Sequence, residues 1–157
     1  MSFKLIGCAL ILLSGYFFSS LLNRGERRRE DQLAGLLTLL RFFRIQIDCY
    51  CVPVGEIFRR CDKGTLEACG CSFVPTDFGA FIDSLSPHPD TETLALLSSF
   101  SAELGSSYKD EQLKSCDYHI SRLSALNEEF SKQTKDKKRL NTVLCMTAAA
   151  LAVILLL

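Results

Sequence analysis

Uncharged, mostly apolar residues fill both ends of the chain, and polar residues interrupt the middle at helical spacing. Leu5 to Leu22 is a run of 18 residues without a charge, and Leu140 to Leu157 is another 18. As helices each would span roughly 27 Å, enough for the hydrocarbon core of a bilayer. In the middle, Leu33, Leu36, Leu37, Leu40, Phe43 and Ile47 recur at three- and four-residue steps and share one face. That pattern predicts an amphipathic helix from Arg27 to about Asp48, continuous with the first apolar run and weakened only at Gly25. Pro53 is placed to open a short helix through about Cys61, with Gly64 as its stop. Residues 64–76, with Gly64, Gly70 and Pro75, read as a loop. Thr76 is positioned to cap a helix carrying Phe78, Phe81, Ile82 and Leu85, and Ser86-Pro87-His88-Pro89 reads as a turn.

Asp90 or Thr91 would cap the next helix, whose inner line is Leu94, Leu97, Phe100, Ser101 and Leu104, with Gly105 just past its end. Ser107 would cap the last helix, with Asp110 and Glu111 in its first turn, where the helix dipole favours acids. Its apolar seam is Leu113, Cys116, Ile120, Leu123, Asn127 and Phe130, and no breaker follows before Leu157. Strand-type alternation and internal repeats are absent. The expected fold is all-α, with an N-terminal transmembrane helix (1–23), a cytosolic helical bundle (24–139) and a C-terminal transmembrane helix (140–157).

Charge sets the expected orientation. Arg24, Arg27, Arg28 and Arg29 follow the first apolar run, and Lys132, Lys135, Lys137, Lys138 and Arg139 precede the second. Basic residues beside membrane spans stay on the cytoplasmic side. Both clusters flank the middle segment, and only Lys4 lies beyond either run, so the middle is expected in the cytosol and both termini outside. Four arginines directly after the apolar run also oppose a cleaved signal peptide. Leu5-Ile6-Gly7-Cys8 resembles a lipobox, but it opens the apolar run instead of closing it.

With 157 residues, 18 basic and 18 acidic, the chain is neutral overall, which disfavours a nucleic-acid binder. The charge is unevenly spread. Residues 45–131 hold 6 basic and 14 acidic side chains, whereas residues 132–139 hold 5 basic and 1 acidic. A basic collar suits anionic lipid heads, and an acidic body suits a basic protein partner.

Eight cysteines raise a second possibility. Five fall between 49 and 71, as Cys49-x-Cys51, Cys61 and Cys69-Gly-Cys71. A cytosolic setting keeps thiols reduced, and one-residue spacing fits zinc less well than C-x2-C to C-x4-C pairs. These cysteines therefore read first as small buried hydrophobes. The alternative is a membrane-tethered Cys-rich protein that binds metal or exchanges thiols. His88 and His119 read as exposed or partly packed, and no hydrolase, zinc-protease or P-loop motif occurs. No enzyme activity and no cofactor are expected.

The order of features resembles one known family. An N-terminal apolar helix and an Arg-rich juncture lead into a Leu-rich helix ending before Pro53-Val54. Then come "AELGSSYKDEQLKS", a Lys-rich stretch and an Ala/Leu/Ile-rich C-terminal helix. The chain resembles stage III sporulation protein AB of endospore-forming bacteria. That resemblance implies a cytoplasmic helical domain similar to that of type II secretion F proteins. It implies a place in the mother-cell membrane around the forespore, within the channel complex joining the two cells. The implied partners are a secretion-type ATPase, stage III sporulation protein AA, and the complex's other membrane proteins. Carried over by motif, Pro53 matches the helix-opening proline, Leu104 and Gly105 the helix stop, and Gln112 the first-turn glutamine. Gln46 stands where the family pattern has an acidic residue, and the cysteine cluster is not part of that pattern.

Overall fold

The computed structural model describes residues 2–50, 52–106 and 108–156, with side chains described except at 2–12, 15, 19, 22, 54, 155 and 156. It is helical throughout its regular structure, with no strand among the described residues. The helices are α1 (Ser2–Tyr50), α2 (Val54–Arg60), α3 (Lys63–Cys69), α4 (Phe78–Ser84), α5 (Thr91–Glu103) and α6 (Lys109–Leu156). They form two compact units: a bundle from Arg29 to Glu129, and a helical pair made of Met1–Arg28 with Phe130–Leu157.

In the bundle, α1 supplies the central face. Leu33, Leu36, Leu37, Leu39, Leu40, Phe43 and Ile47 are all buried, matching the sequence periodicity. The helix stops just before Pro53, whose ring disfavours helical backbone at the residue before it. Phe43 stands at the centre of an aromatic cluster, with ring centroids 5.0 Å from Phe58, 5.5 Å from Phe78 and 6.3 Å from Phe100, all edge-on. Edge-to-face rings add about 0.5–1.5 kcal/mol per pair beyond their burial. This cluster joins α1, α2, α4 and α5.

Three boundaries differ from the sequence expectations. Pro53 is the N-cap of α2, and that helix ends at Arg60, so Gly64 does not stop it. Gly64 instead lies inside α3, a helix within residues expected to be loop. Asp62 caps α3 by accepting the Thr65 N–H, which offsets the cost of an interior glycine. At its far end, Gly70 N–H donates to Glu67 O and Cys71 N–H to Leu66 O, each at 2.9 Å, with Gly70 at φ 91°. This is the Schellman arrangement, which favours glycine in the left-handed region. Asp77, not Thr76, caps α4: its carboxylate accepts the Ala80 N–H at 2.8 Å, while the Thr76 hydroxyl donates to the same side chain. Asp90 caps α5 through Thr93, and the Ser107 cap expected for α6 lies outside the described residues.

One side chain ties the short helices to α1. Gln32 is buried, and its Nε2 donates to Cys69 O at 2.9 Å and to Pro87 O at 2.7 Å. Nearby, a Cβ on Gly35 would lie 2.8 Å from the Ala68 carbonyl carbon, so glycine is what lets α1 and α3 approach here. On the outer side Arg44 donates to both Asp117 oxygens, at 2.6 and 3.3 Å, and Lys109 Nζ donates to Asp48 O at 2.6 Å, joining α1 to α6.

In the helical pair, the two segments run antiparallel. Asn141 Nδ2 donates to Asn23 Oδ1 at 3.3 Å, and Lys137 Nζ lies 3.7 Å from Glu26. Thr134 and Ala149 are buried in this unit. Among the described residues, no helix is long and apolar enough to cross a membrane. The expected membrane windows, 5–22 and 140–157, both include residues outside the described side chains, Cys8 among them.

Candidate interaction surfaces

His119, expected exposed or partly packed, is fully buried at 0% exposure. The buried face of α6 runs through Cys116, His119 and Leu123, while Leu113, Ile120, Asn127 and Phe130 of the expected seam are half-buried. The imidazole lies 5.2 Å from the Phe100 ring, and its Nδ1 is 2.8 Å from Ser115 O, which assigns the proton to Nδ1. Ser115 Oγ donates to Glu103 Oε2 at 2.5 Å, so its proton is directed away from the imidazole. His88 is exposed in the Pro-flanked turn, far along the chain from this group.

The cysteines separate in the same way. Cys61, Cys69, Cys71 and Cys116 are buried, whereas Cys49 is exposed and Cys51 lies outside the described residues. Burial, reinforced by Asp62, pushes the Cys61 thiol up to about 11. Burial and the neighbouring Cys61 and Cys71 push Cys69 up to about 12. A thiol held neutral is a poor nucleophile. Cys71 is engaged otherwise, with its Sγ donating to Phe73 O and accepting from Ser84 Oγ, each at 3.0 Å. Among the described residues, no three His, Cys, Asp or Glu side chains are grouped so as to hold a metal ion. Of the five cysteines between 49 and 71, Cys61, Cys69 and Cys71 are thus packed into the bundle.

The motif residues stand at or next to helix ends. Pro53 precedes α2 with φ −56° and ψ 136°. Leu104 is the C-cap of α5, and Gly105 follows with φ 80°, the left-handed conformation that ends a helix at glycine. Gln112 stands in the first turn of α6, where its N–H donates to Tyr108 O at 3.0 Å.

Two surfaces remain. At the end of the bundle where Lys109 meets Asp48, Tyr108 is 87% exposed, Tyr50 is exposed at the end of α1, and Asp110 and Glu111 begin α6. In the helical pair, Arg24, Arg27 and Arg28 are exposed on α1, while Lys135, Lys137 and Arg139 are exposed and Lys138 half-buried on α6. Arg29, also exposed, opens the bundle. The outward side of the pair is apolar: eleven large side chains, from Met146 at 40% to Ile154 at 69%, are exposed.

No curated protein and no solved structure matches the chain. Residues 87–157, from the proline turn through α5 and α6, match the family model of stage III sporulation protein AB, and this match supports the family that the sequence motifs resemble.

Proposed function

We propose that this protein is a non-enzymatic, membrane-anchored component of the sporulation channel complex between mother cell and forespore. In this reading the helical pair lies in the mother-cell membrane around the forespore, as segments 1–23 and 140–157. Residues 24–139 are cytosolic and both termini are outside. The observation that carries it is the apolar exterior of the pair. Leu13, Phe17, Phe18, Leu21, Val143, Leu144, Leu151 and Ile154 are all more than half exposed. Soluble monomers rarely expose contiguous apolar surface on this scale, whereas lipid tails cover it without cost. The family match adds the sporulation setting.

The bundle would act as a platform similar to the type II secretion F cytoplasmic domain, docking a secretion-type ATPase, stage III sporulation protein AA, beside the complex's other membrane proteins. The acidic and aromatic end of the bundle suits such a contact. Exposed tyrosines supply apolar area at low entropic cost, and carboxylates steer a basic partner.

Affinity purification of the tagged full-length protein from sporulating cells, in mild detergent, tests this reading. Recovery of the ATPase, and its loss from an Asp110→Lys/Glu111→Lys variant, is the expected result. Recovery unchanged by charge reversal would move the contact elsewhere. Recovery of membrane neighbours without the ATPase would leave the bundle as a spacer.

A further inference from the structure

Within the helical pair, a cleft of about 390 Å³ is lined by Tyr16, Ser20, Asn23, Arg24 and Arg27 of α1 and by Thr142 of α6. The α1 residues step by four, three, one and three, so they occupy one stripe of that helix. Among the described residues no carboxylate lines the cleft. The nearest acid in sequence, Glu26, lies 3.7 Å from Lys137. Among the described residues neither Arg24 nor Arg27 forms an ion pair, so two guanidinium groups border one cleft without a countercharge.

We propose that this cleft binds the phosphodiester headgroup of an anionic glycerophospholipid. Guanidinium groups match phosphate oxygens with paired N–H donors, and charge-assisted bonds of this type are the strong ones. Tyr16 and Ser20 add hydroxyl donors and Asn23 an amide. The cleft falls where the uncharged run 5–22 gives way to arginine, which is the headgroup level of the cytoplasmic leaflet. The inference rests on the membrane reading above. A lipid, unlike free phosphate, also gains from its acyl chains, which would lie along exposed Leu13 and Phe17 of the same helix.

The test uses the full-length protein. Flotation with phosphatidylcholine vesicles reads membrane insertion. Native mass spectrometry from detergent then compares short-chain phosphatidylglycerol with short-chain phosphatidylcholine. The expected result is preferential phosphatidylglycerol retention, weakened about tenfold or more in Arg24→Gln/Arg27→Gln and within about twofold of wild type in Arg28→Gln/Arg29→Gln. All four arginines are exposed, and circular dichroism checks that each variant folds. Equal loss in both pairs would mean diffuse attraction and overturn the site. So would equal retention of the two lipids, or displacement of phosphatidylglycerol by low-millimolar inorganic phosphate, which would mark a site for the free anion. Protein that floats but shows no lipid preference refutes this site alone. Protein that does not float refutes the membrane reading and the site with it.

Discussion

Gln32 Nε2 reaches Pro87 O at 2.7 Å across 55 residues of sequence, from a side chain only 4% exposed. The same nitrogen also serves Cys69 O, so one amide satisfies the last carbonyl of α3 and one of the proline turn. Replacing Gln32 with leucine keeps the volume and leaves both carbonyls without this donor. The Cys69 carbonyl is the buried one of the two, and an unsatisfied buried acceptor costs about 1–3 kcal/mol, so Gln32→Leu is expected to destabilise the bundle by about that amount. Urea denaturation of the full-length protein in detergent, followed by circular dichroism, reads the change. A loss under about 1 kcal/mol would show that the amide is not holding these two segments.

The glycines give a graded series. Gly70 has φ 91°, and a Cβ there would collide with the Ser86 carbonyl oxygen. Left-handed backbone alone costs a non-glycine residue about 1–2 kcal/mol, so Gly70→Ala is expected to lose more than that. Gly35→Ala would press on the Ala68 backbone and lose about 1–3 kcal/mol as an overpacked contact. Gly55 lies in α2 with nothing within 4 Å of a built Cβ, and Gly55→Ala should gain about 0.4–1 kcal/mol. Thermal melts of the three variants check the order; a reversal of Gly55 and Gly70 would contradict the packing described.

Thiol reactivity separates the cysteines by burial. At pH 8, iodoacetamide should modify exposed Cys49 first and leave Cys61, Cys69 and Cys116 about two orders of magnitude slower than a free thiol until the protein unfolds. Burial, with Asp117 adding to it, pushes Cys116 up to about 11. These folded values lie above the usual thiol value. Their contribution to stability is therefore complete below about pH 8.5, where unfolded thiols begin to ionise, and is lost as pH rises towards 11–12. An alkaline fall in melting temperature over that window is the expected outcome. Peptide mass spectrometry showing Cys69 alkylated as fast as Cys49 would contradict it.

Much of this architecture could be read before the structure, because long helices announce their period. The α1 face from Leu33 to Ile47 was legible since six apolar residues repeat there at one spacing. Gln32 was not, because its two partners are carbonyls 37 and 55 residues away. Helix α3 was missed because Gly64 reads locally as a stop, although Asp62 three residues before Thr65 was an available cap signal. The seam of α6 was drawn through Ile120 and Asn127, where tertiary packing against Phe100 turned His119 inward instead. The 49–71 cysteines read first as small buried hydrophobes, which holds for Cys61, Cys69 and Cys71 but not for exposed Cys49. The basic residues are visible in the sequence beside the apolar runs, but that Arg24 and Arg27 border one cleft with Thr142 needed the second helix.

The proposed function anchors this chain through its two ends and places its bundle in the cytosol. Cys49 is exposed on the bundle and reports its side of the membrane. A membrane-impermeant maleimide applied to intact mother cells and to inverted membrane vesicles, with the label at Cys49 read by mass spectrometry, tests the claim most directly. The expected result is protein retained in carbonate-washed membranes, with Cys49 labelled in inverted vesicles and protected in intact cells. Labelling of Cys49 in intact cells, or release of the protein by carbonate, would contradict it.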